Sequence, residues 1–93
     1  MLVNVMCLGL PVRIPSRVAV DFMSDAEVTV RSLIEVYLSC YDPCIAGALL
    51  DVSGLKQGFA ILLNGRNVQQ FGGLDAAIRD GDLVVITAEV GGG

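Results

Sequence analysis

Apolar and polar positions alternate along this chain with two different periods. Over residues 1–10, Leu2, Val3, Val5, Met6, Cys7, Leu8 and Leu10 make both faces of an extended segment apolar. That pattern fits a central strand covered on one side and facing a partner or an edge on the other. Pro11 and Pro15 break any ladder over 11–16, which reads as a connection. Over 17–22, Val18, Val20 and Phe22 alternate with Arg17, Ala19 and Asp21, the period of a half-buried strand. These two strands are expected to form a hairpin-like pair with a long loop. After the polar turn Ser24-Asp25-Ala26-Glu27 the period changes. Val30, Leu33, Ile34, Tyr37 and Leu38 fall on one stripe of an amphipathic helix, with Thr29 at its N-cap and Arg31, Ser32 and Glu35 on the opposite face. Pro43 ends this helix near Cys40. Asp42-Pro43 then starts a second short helix through Leu50, as an N-cap and first-position pair.

Residues 51–58 are polar and glycine-bearing and read as a loop, and 59–63 read as a buried strand. Asn64-Gly65 predicts a type I′ hairpin turn, because both central residues of that turn need positive φ. The returning segment 66–71 is expected to be an edge strand, broken by Gly72-Gly73. Residues 74–78 read as one helical or 3-10 turn with Asp75 as its cap, and Asp80-Gly81-Asp82 turns the chain again. Residues 83–88 are β-branched and apolar on both faces, so a central strand is expected there. The elements give an α+β domain over 1–89, a sheet half-covered by one main helix. A tail, Val90-Gly91-Gly92-Gly93, makes up 90–93.

Composition narrows the function more than the fold. At 93 residues the chain suits one small domain. With 54% hydrophobic and 17% charged residues it is not intrinsically disordered. A net charge of −4, with basic residues scattered singly, argues against nucleic acid and favours a basic partner protein. No apolar run reaches the length of about 18 residues that a membrane span needs. The apolar start has no preceding positive charge, unlike a targeting segment. Three cysteines without a paired framework read as reduced thiols of a cytoplasmic protein.

Candidate chemistry inside the domain is sparse. The absence of histidine removes the usual general base, so no catalytic residues are expected. Asp80 and Asp82 flank Gly81 and suit a turn, and Gly72-Gly73 lacks the Lys-Ser/Thr of a phosphate loop. Cys40 and Cys44 are separated by Pro43, with no histidine and no third close ligand. They read as buried or half-buried small hydrophobes, and no metal is expected. Cys7 reads as core. An exposed apolar patch for a partner is expected on the sheet, with Phe59, Phe71 and Val90 as candidates and core packing the plainer reading for Phe59. Arg66, Arg79 and Glu89 are further candidate partner contacts, with solvated surface the plainer reading for the two arginines.

The tail concentrates what remains. Three consecutive glycines carry no side chain to pack, and offer one functional group, the Gly93 carboxylate, on a flexible lead. The order Ile61-Leu62-Leu63-Asn64-Gly65-Arg66-Asn67-Val68, then Leu74, then Asp80-Gly81-Asp82-Leu83-Val84-Val85-Ile86, then terminal glycines, resembles the ubiquitin-like β-grasp sulfur carriers of the MoaD/ThiS type. These are the small subunit of molybdopterin synthase and the thiamine sulfur carrier. The resemblance spans nearly the whole chain. It implies a mixed five-stranded sheet packed on one main helix and a non-catalytic protein acting with partner enzymes. An E1-like adenylating enzyme of the MoeB/ThiF type would join AMP to the Gly93 carboxylate, and sulfur would displace AMP to leave a thiocarboxylate. No cofactor would be bound; AMP and the thiocarboxylate would be transient modifications. Gly91, Gly92 and Gly93 would thread into the partner's active site, and residues 88–93 extend to about 20 Å. The partner receiving sulfur would be the large subunit of molybdopterin synthase or a thiazole synthase. Residues 39–58 and Phe71-Gly72-Gly73-Leu74-Asp75 look like the molybdenum branch. Thr87-Ala88-Glu89-Val90 lacks the prolines and aromatic residue usual before that branch's tail and looks like some thiamine carriers. Conjugation to proteins through Gly93, as in ubiquitin-like modifiers, and a pure interaction module are the alternatives.

Overall fold

The computed structural model describes residues 2–10, 14–22, 27–52 and 54–88. Strand β1 (Leu2–Leu8) lies antiparallel to β2 (Arg17–Asp21), with Val3 opposite Val20 and Val5 opposite Val18. Their period-two pattern turns Val3, Val5, Cys7, Val18 and Val20 into the core. The short strand β3 (Val28–Thr29) leads into the main helix, residues 30–40. Thr29 caps it as expected. Its hydroxyl accepts from the Ser32 amide at 3.2 Å, and Ser32 Oγ accepts from the Thr29 amide at 2.9 Å, so two otherwise unpaired donors are satisfied reciprocally.

The helix opens as one α-turn, α1 (Val30–Ser32), widens to i→i+5 bonding over Leu33–Tyr37 and tightens to a 3-10 turn over Leu38–Cys40. The Ser39 hydroxyl donates to the Val36 carbonyl at 2.8 Å, a side-chain bond of the kind that competes with regular helical winding. The change of winding leaves the predicted stripe intact. Val30, Leu33, Ile34 and Leu38 are fully buried, and Tyr37 meets the Phe22 ring edge-on at 4.2 Å.

The second helix, α2 (Ile45–Leu49), starts later than the expected Asp42-Pro43 pair and buries Ile45 and Leu49. Cys44 stands at its N-cap with no side-chain cap bond, because Asp42 Oδ1 accepts from the Cys44 amide at 2.9 Å in the preceding turn and so does not cap the helix. The helix stops one residue before Leu50, which is extended and opens β4 (Leu50–Asp51), paired with β5 (Gly54–Leu55). The segment 51–58 is therefore partly a small hairpin and not only a loop. The Lys56 amide closes it onto the Leu49 carbonyl at 2.7 Å.

Strand β6 (Phe59–Leu63) returns through Asn64 and Gly65, at φ 52° and 84°, into β7 (Arg66–Asn67), so the type I′ reading holds. The predicted edge strand over 66–71 stops at Asn67. The Asn67 side chain accepts from the Gln69 amide at 3.0 Å and initiates a 3-10 turn, Val68–Gln70, that drops Val68 into the core. A second 3-10 turn, Gly73–Asp75, covers only the start of the predicted helical 74–78. Asp75 ends this turn and does not cap it; Gly72 stands at the cap position, at φ 136°. Ala77 and Ile78 form β8 (Ala77–Ile78) instead, drawn out by pairing with β3. The last strand is β9 (Leu83–Ala88).

The main sheet has five strands in the order β2-β1-β9-β6-β7. β9 runs parallel to β1, and the other neighbours are antiparallel. The main helix packs against one face, which makes this the ubiquitin-like β-grasp fold.

The cysteines divide differently from expectation. Cys7 is core, and burial pushes its thiol pKa up. Cys40 and Cys44 are exposed, because the stripe that faces the sheet ends at Leu38 and resumes at Ile45. In the folded protein, alkylation followed by mass spectrometry is expected to label Cys40 and Cys44 rapidly and Cys7 only on unfolding. A raised pKa leaves less Cys7 thiolate at any given pH, so higher pH narrows the gap without closing it. Leu33→Ala is expected to cost about 2–5 kcal/mol in urea unfolding, whereas Val36→Ala on the solvent side stays within about 0.5 kcal/mol.

Candidate functional site

β9 occupies the middle of the sheet and is paired on both sides from Val84 to Thr87. Val84, Ile86 and Thr87 lie beside Val5, Cys7 and Leu8 on β1, and beside Leu63, Ile61 and Ala60 on β6. Its last residue, Ala88, faces Phe59. Gly9, at φ 68°, turns β1 away at the same end, where an added Cβ would sit 3.7 Å from Ala88 Cβ. Glu89, Val90, Gly91, Gly92 and Gly93 lie outside the described residues. The structure fixes the position from which they leave, the end of a central strand.

The sheet face opposite the helix leads to that position. Alternation sends Val84 and Ile86 into the core and leaves Leu83, Val85 and Thr87 outward. One register row across this face reads Arg17, Met6, Val85, Leu62 and Asn67. The next row toward Ala88 reads Leu8, Thr87 and Ala60. Leu8 is 42% exposed, and Met6, Leu62 and Val85 are half-buried only by one another and their neighbours. At the other end Ala19, Asn4 and Leu83 line a trough of about 540 Å³ shared with Met6 and Arg17. These rows, apolar at their centre and on the face opposite the helix, make this face the candidate docking surface.

The predicted contacts distribute unevenly. Phe71 is 41% exposed and carries the Arg66 guanidinium 5.5 Å above its ring, so these two candidates do come together. They flank the sheet far from the tail's departure point. Arg66 pairs with Leu63, and Leu63 with Val84, four residues before Ala88, which is about 13 Å along the strand. Phe59 is half-buried against the core, as its plainer reading had it. Met6, Leu62 and Val85 were not singled out in the sequence. Their signal was present in β1 and β9, where both faces are apolar but the structure covers only one. Among the described residues no group of three or more metal-ligating side chains comes together, and no helix is long and apolar enough to cross a membrane. The outer face presents the side chains of Met6, Val85, Leu62 and Leu8 beside the polar Asn4 and Thr87, and β2 sets two charges of opposite sign, Arg17 and Asp21, along its edge.

Comparisons with known proteins agree with this architecture. The solution structure of the Haloferax volcanii HVO 2177 protein superimposes with a TM-score of 0.77 at 27% identity, covering 100% of this chain and 87% of that one. A chain of the BexX/CysO complex of Amycolatopsis orientalis gives 0.70 at 25% identity, covering 98% and 99%. Mycobacterium tuberculosis CysO gives 0.68 at 28% identity, covering 95% and 99%. No curated protein sequence matches significantly. A model of the ThiS family matches residues 15–93, so the chain belongs to the ThiS family of ubiquitin-like sulfur carriers.

Proposed function

We propose that this protein carries sulfur on its C-terminal glycine and that the outer sheet face docks the enzymes that load and unload it. The observation that carries this reading is the half-buried row of Met6, Val85 and Leu62 across the outer sheet face, one row from Leu8, Thr87 and Ala60 at the end of β9 where the chain departs. A carboxylate is a poor electrophile, because its charge is delocalised and oxide is a poor leaving group. Adenylation by an E1-like enzyme of the MoeB/ThiF type uses ATP and releases pyrophosphate, joining AMP to the Gly93 carboxylate. A sulfur nucleophile then attacks that carbonyl carbon and AMP departs, leaving a thiocarboxylate. Gly91, Gly92 and Gly93 suit delivery, because a chain without Cβ atoms enters a narrow channel in extended form. That a similar chain occurs in the BexX/CysO complex supports docking to a larger partner.

The acceptor assigned here is a molybdopterin precursor on the large subunit of molybdopterin synthase. What supports it is the insert over 39–58, folded into α2 and the β4–β5 hairpin, together with the Phe71–Asp75 segment. The family match favours a second reading, in which a thiazole synthase takes the sulfur. Co-purification of a large synthase subunit separates the two.

The intact mass of protein from its native host is expected to include a form with one C-terminal oxygen replaced by sulfur. Deleting Gly92 and Gly93 is expected to abolish that form and cofactor synthesis with unfolding unchanged. Retained cofactor synthesis would overturn the proposal, and isopeptide adducts without the sulfur form would replace it by protein modification. Val85→Asp is expected to weaken binding to the activating enzyme about thirtyfold, the scale of a hot-spot loss of about 2 kcal/mol. Val36→Asp, on the helix side, serves as the control and leaves binding unchanged; calorimetry or surface plasmon resonance reads both.

A further inference from the structure

The hairpin turn between β6 and β7 carries an Asn-Gly pair whose chemistry the carrier role does not use. In such a pair the glycine amide nitrogen can attack the preceding carboxamide, since no side chain hinders its approach. Gly65 N would bond to Asn64 Cγ and lose its proton, the Cγ–Nδ2 bond would break, and ammonia would leave, giving a cyclic succinimide. Water then opens the ring at either carbonyl, to an aspartate or an isoaspartate at position 64. Only water is consumed, and both Asn64 and Gly65 are exposed.

The fold restrains this reaction by holding both ends of the carboxamide. Asn64 Oδ1 accepts from the Leu83 amide at 2.9 Å, and Nδ2 donates to Asp82 Oδ1 at 3.0 Å. The Asp82 carboxylate is itself fixed, because its other oxygen accepts from the Arg79 amide at 2.8 Å. The Asn64 amide donates to the Leu83 carbonyl at 2.8 Å, so Asn64 brackets the first residue of β9 from both sides. Rotation of the side chain toward Gly65 N must break the bonds to Leu83 and Asp82 together.

We propose that Asn64 is a site of spontaneous deamidation, guarded by Asp82, and that its conversion loosens the start of β9. The product would place an oxygen where Nδ2 now sits, 3.0 Å from Asp82 Oδ1. Two carboxylates at that separation repel, and one must move or take up a proton. An isoaspartate would also lengthen the backbone inside a turn that accommodates only two residues.

The test follows position 64 in the full chain at mildly alkaline pH, by peptide mapping and isoaspartate labelling with an isoaspartyl methyltransferase. Native protein is expected to deamidate about tenfold more slowly than the same protein in urea, the scale of two hydrogen bonds that must open. Equal rates would overturn the proposal, and this comparison needs no variant. Asp82→Ala, checked for folding by circular dichroism, is expected to deamidate about threefold faster than the native protein and still more slowly than the unfolded chain, because the Leu83 bond remains; an unchanged rate would remove Asp82 as the guard. Asn64→Asp is expected to unfold at lower urea than the wild type, and an unchanged midpoint would overturn the loosening of β9.

Discussion

The structure depends on the pairing of β9 with β1 on one side and β6 on the other. These contacts join the two ends of the sequence, Asn4 with Leu83 and Leu8 with Thr87, and close the longest loop in the fold. Closing so long a loop carries an entropic cost that only a fully paired and buried strand offsets. Val84 and Ile86, both fully buried, supply the burial, and the turn at Asp80-Gly81-Asp82 sets the register. Asp80 accepts from the Leu2 amide at 2.7 Å, and the Gly81 amide donates to the Leu2 carbonyl at 2.7 Å. The start of β1 is therefore aligned by the turn that launches β9. Every later position on β9, including the departure point at Ala88, inherits that alignment.

Cover on one face only is the second constraint. The main helix buries Val3, Val5, Ile61, Val84 and Ile86, whereas Met6, Leu62 and Val85 on the opposite face are only half-buried. Covering them would stabilise the monomer and remove the surface. The net charge of −4 acts against self-association of such a face, since like-charged copies repel. Arg17 and Asp21 at the face's edge set a positive and a negative charge four residues apart, which would fix a partner's orientation, with the apolar area supplying the rest of the contact.

The parts of this design visible in the sequence were those set by periodicity and by strict backbone demands. The stripe from Val30 to Leu38 identified the main helix, and Asn64-Gly65 identified the hairpin, because positive φ at both positions leaves little choice of residue. The parts missed were decided by tertiary partners. Residues 77–78 are extended because β3 offers them a ladder, which no local propensity encodes. Residues 68–70 leave the sheet because Asn67 caps a 3-10 turn and Val68 finds the core. Cys40 and Cys44 look like small core residues by type, yet they fall between the end of one buried stripe and the start of the next. The docking face was half legible: strands apolar on both sides announced a second surface, but which residues form it depended on the order β1-β9-β6, a topological fact.

That order also sets how the domain holds the point from which the residues after Ala88 leave. A reactive terminus extending from an edge strand would leave at an angle set by fraying of a half-paired backbone. β9 is paired on both sides from Val84 to Thr87, and Ala88 keeps its pairing with Phe59, so the point of departure is held by the sheet. The outer face passes through the same strand at Val85 and Thr87, so a partner seated there, as proposed, would be registered to the departure point without any further contact. Binding and presentation then share one element. A change that weakens the band without moving β9 should alter affinity alone, whereas a change that shifts the register of β9 turns every outward side chain inward and loses both.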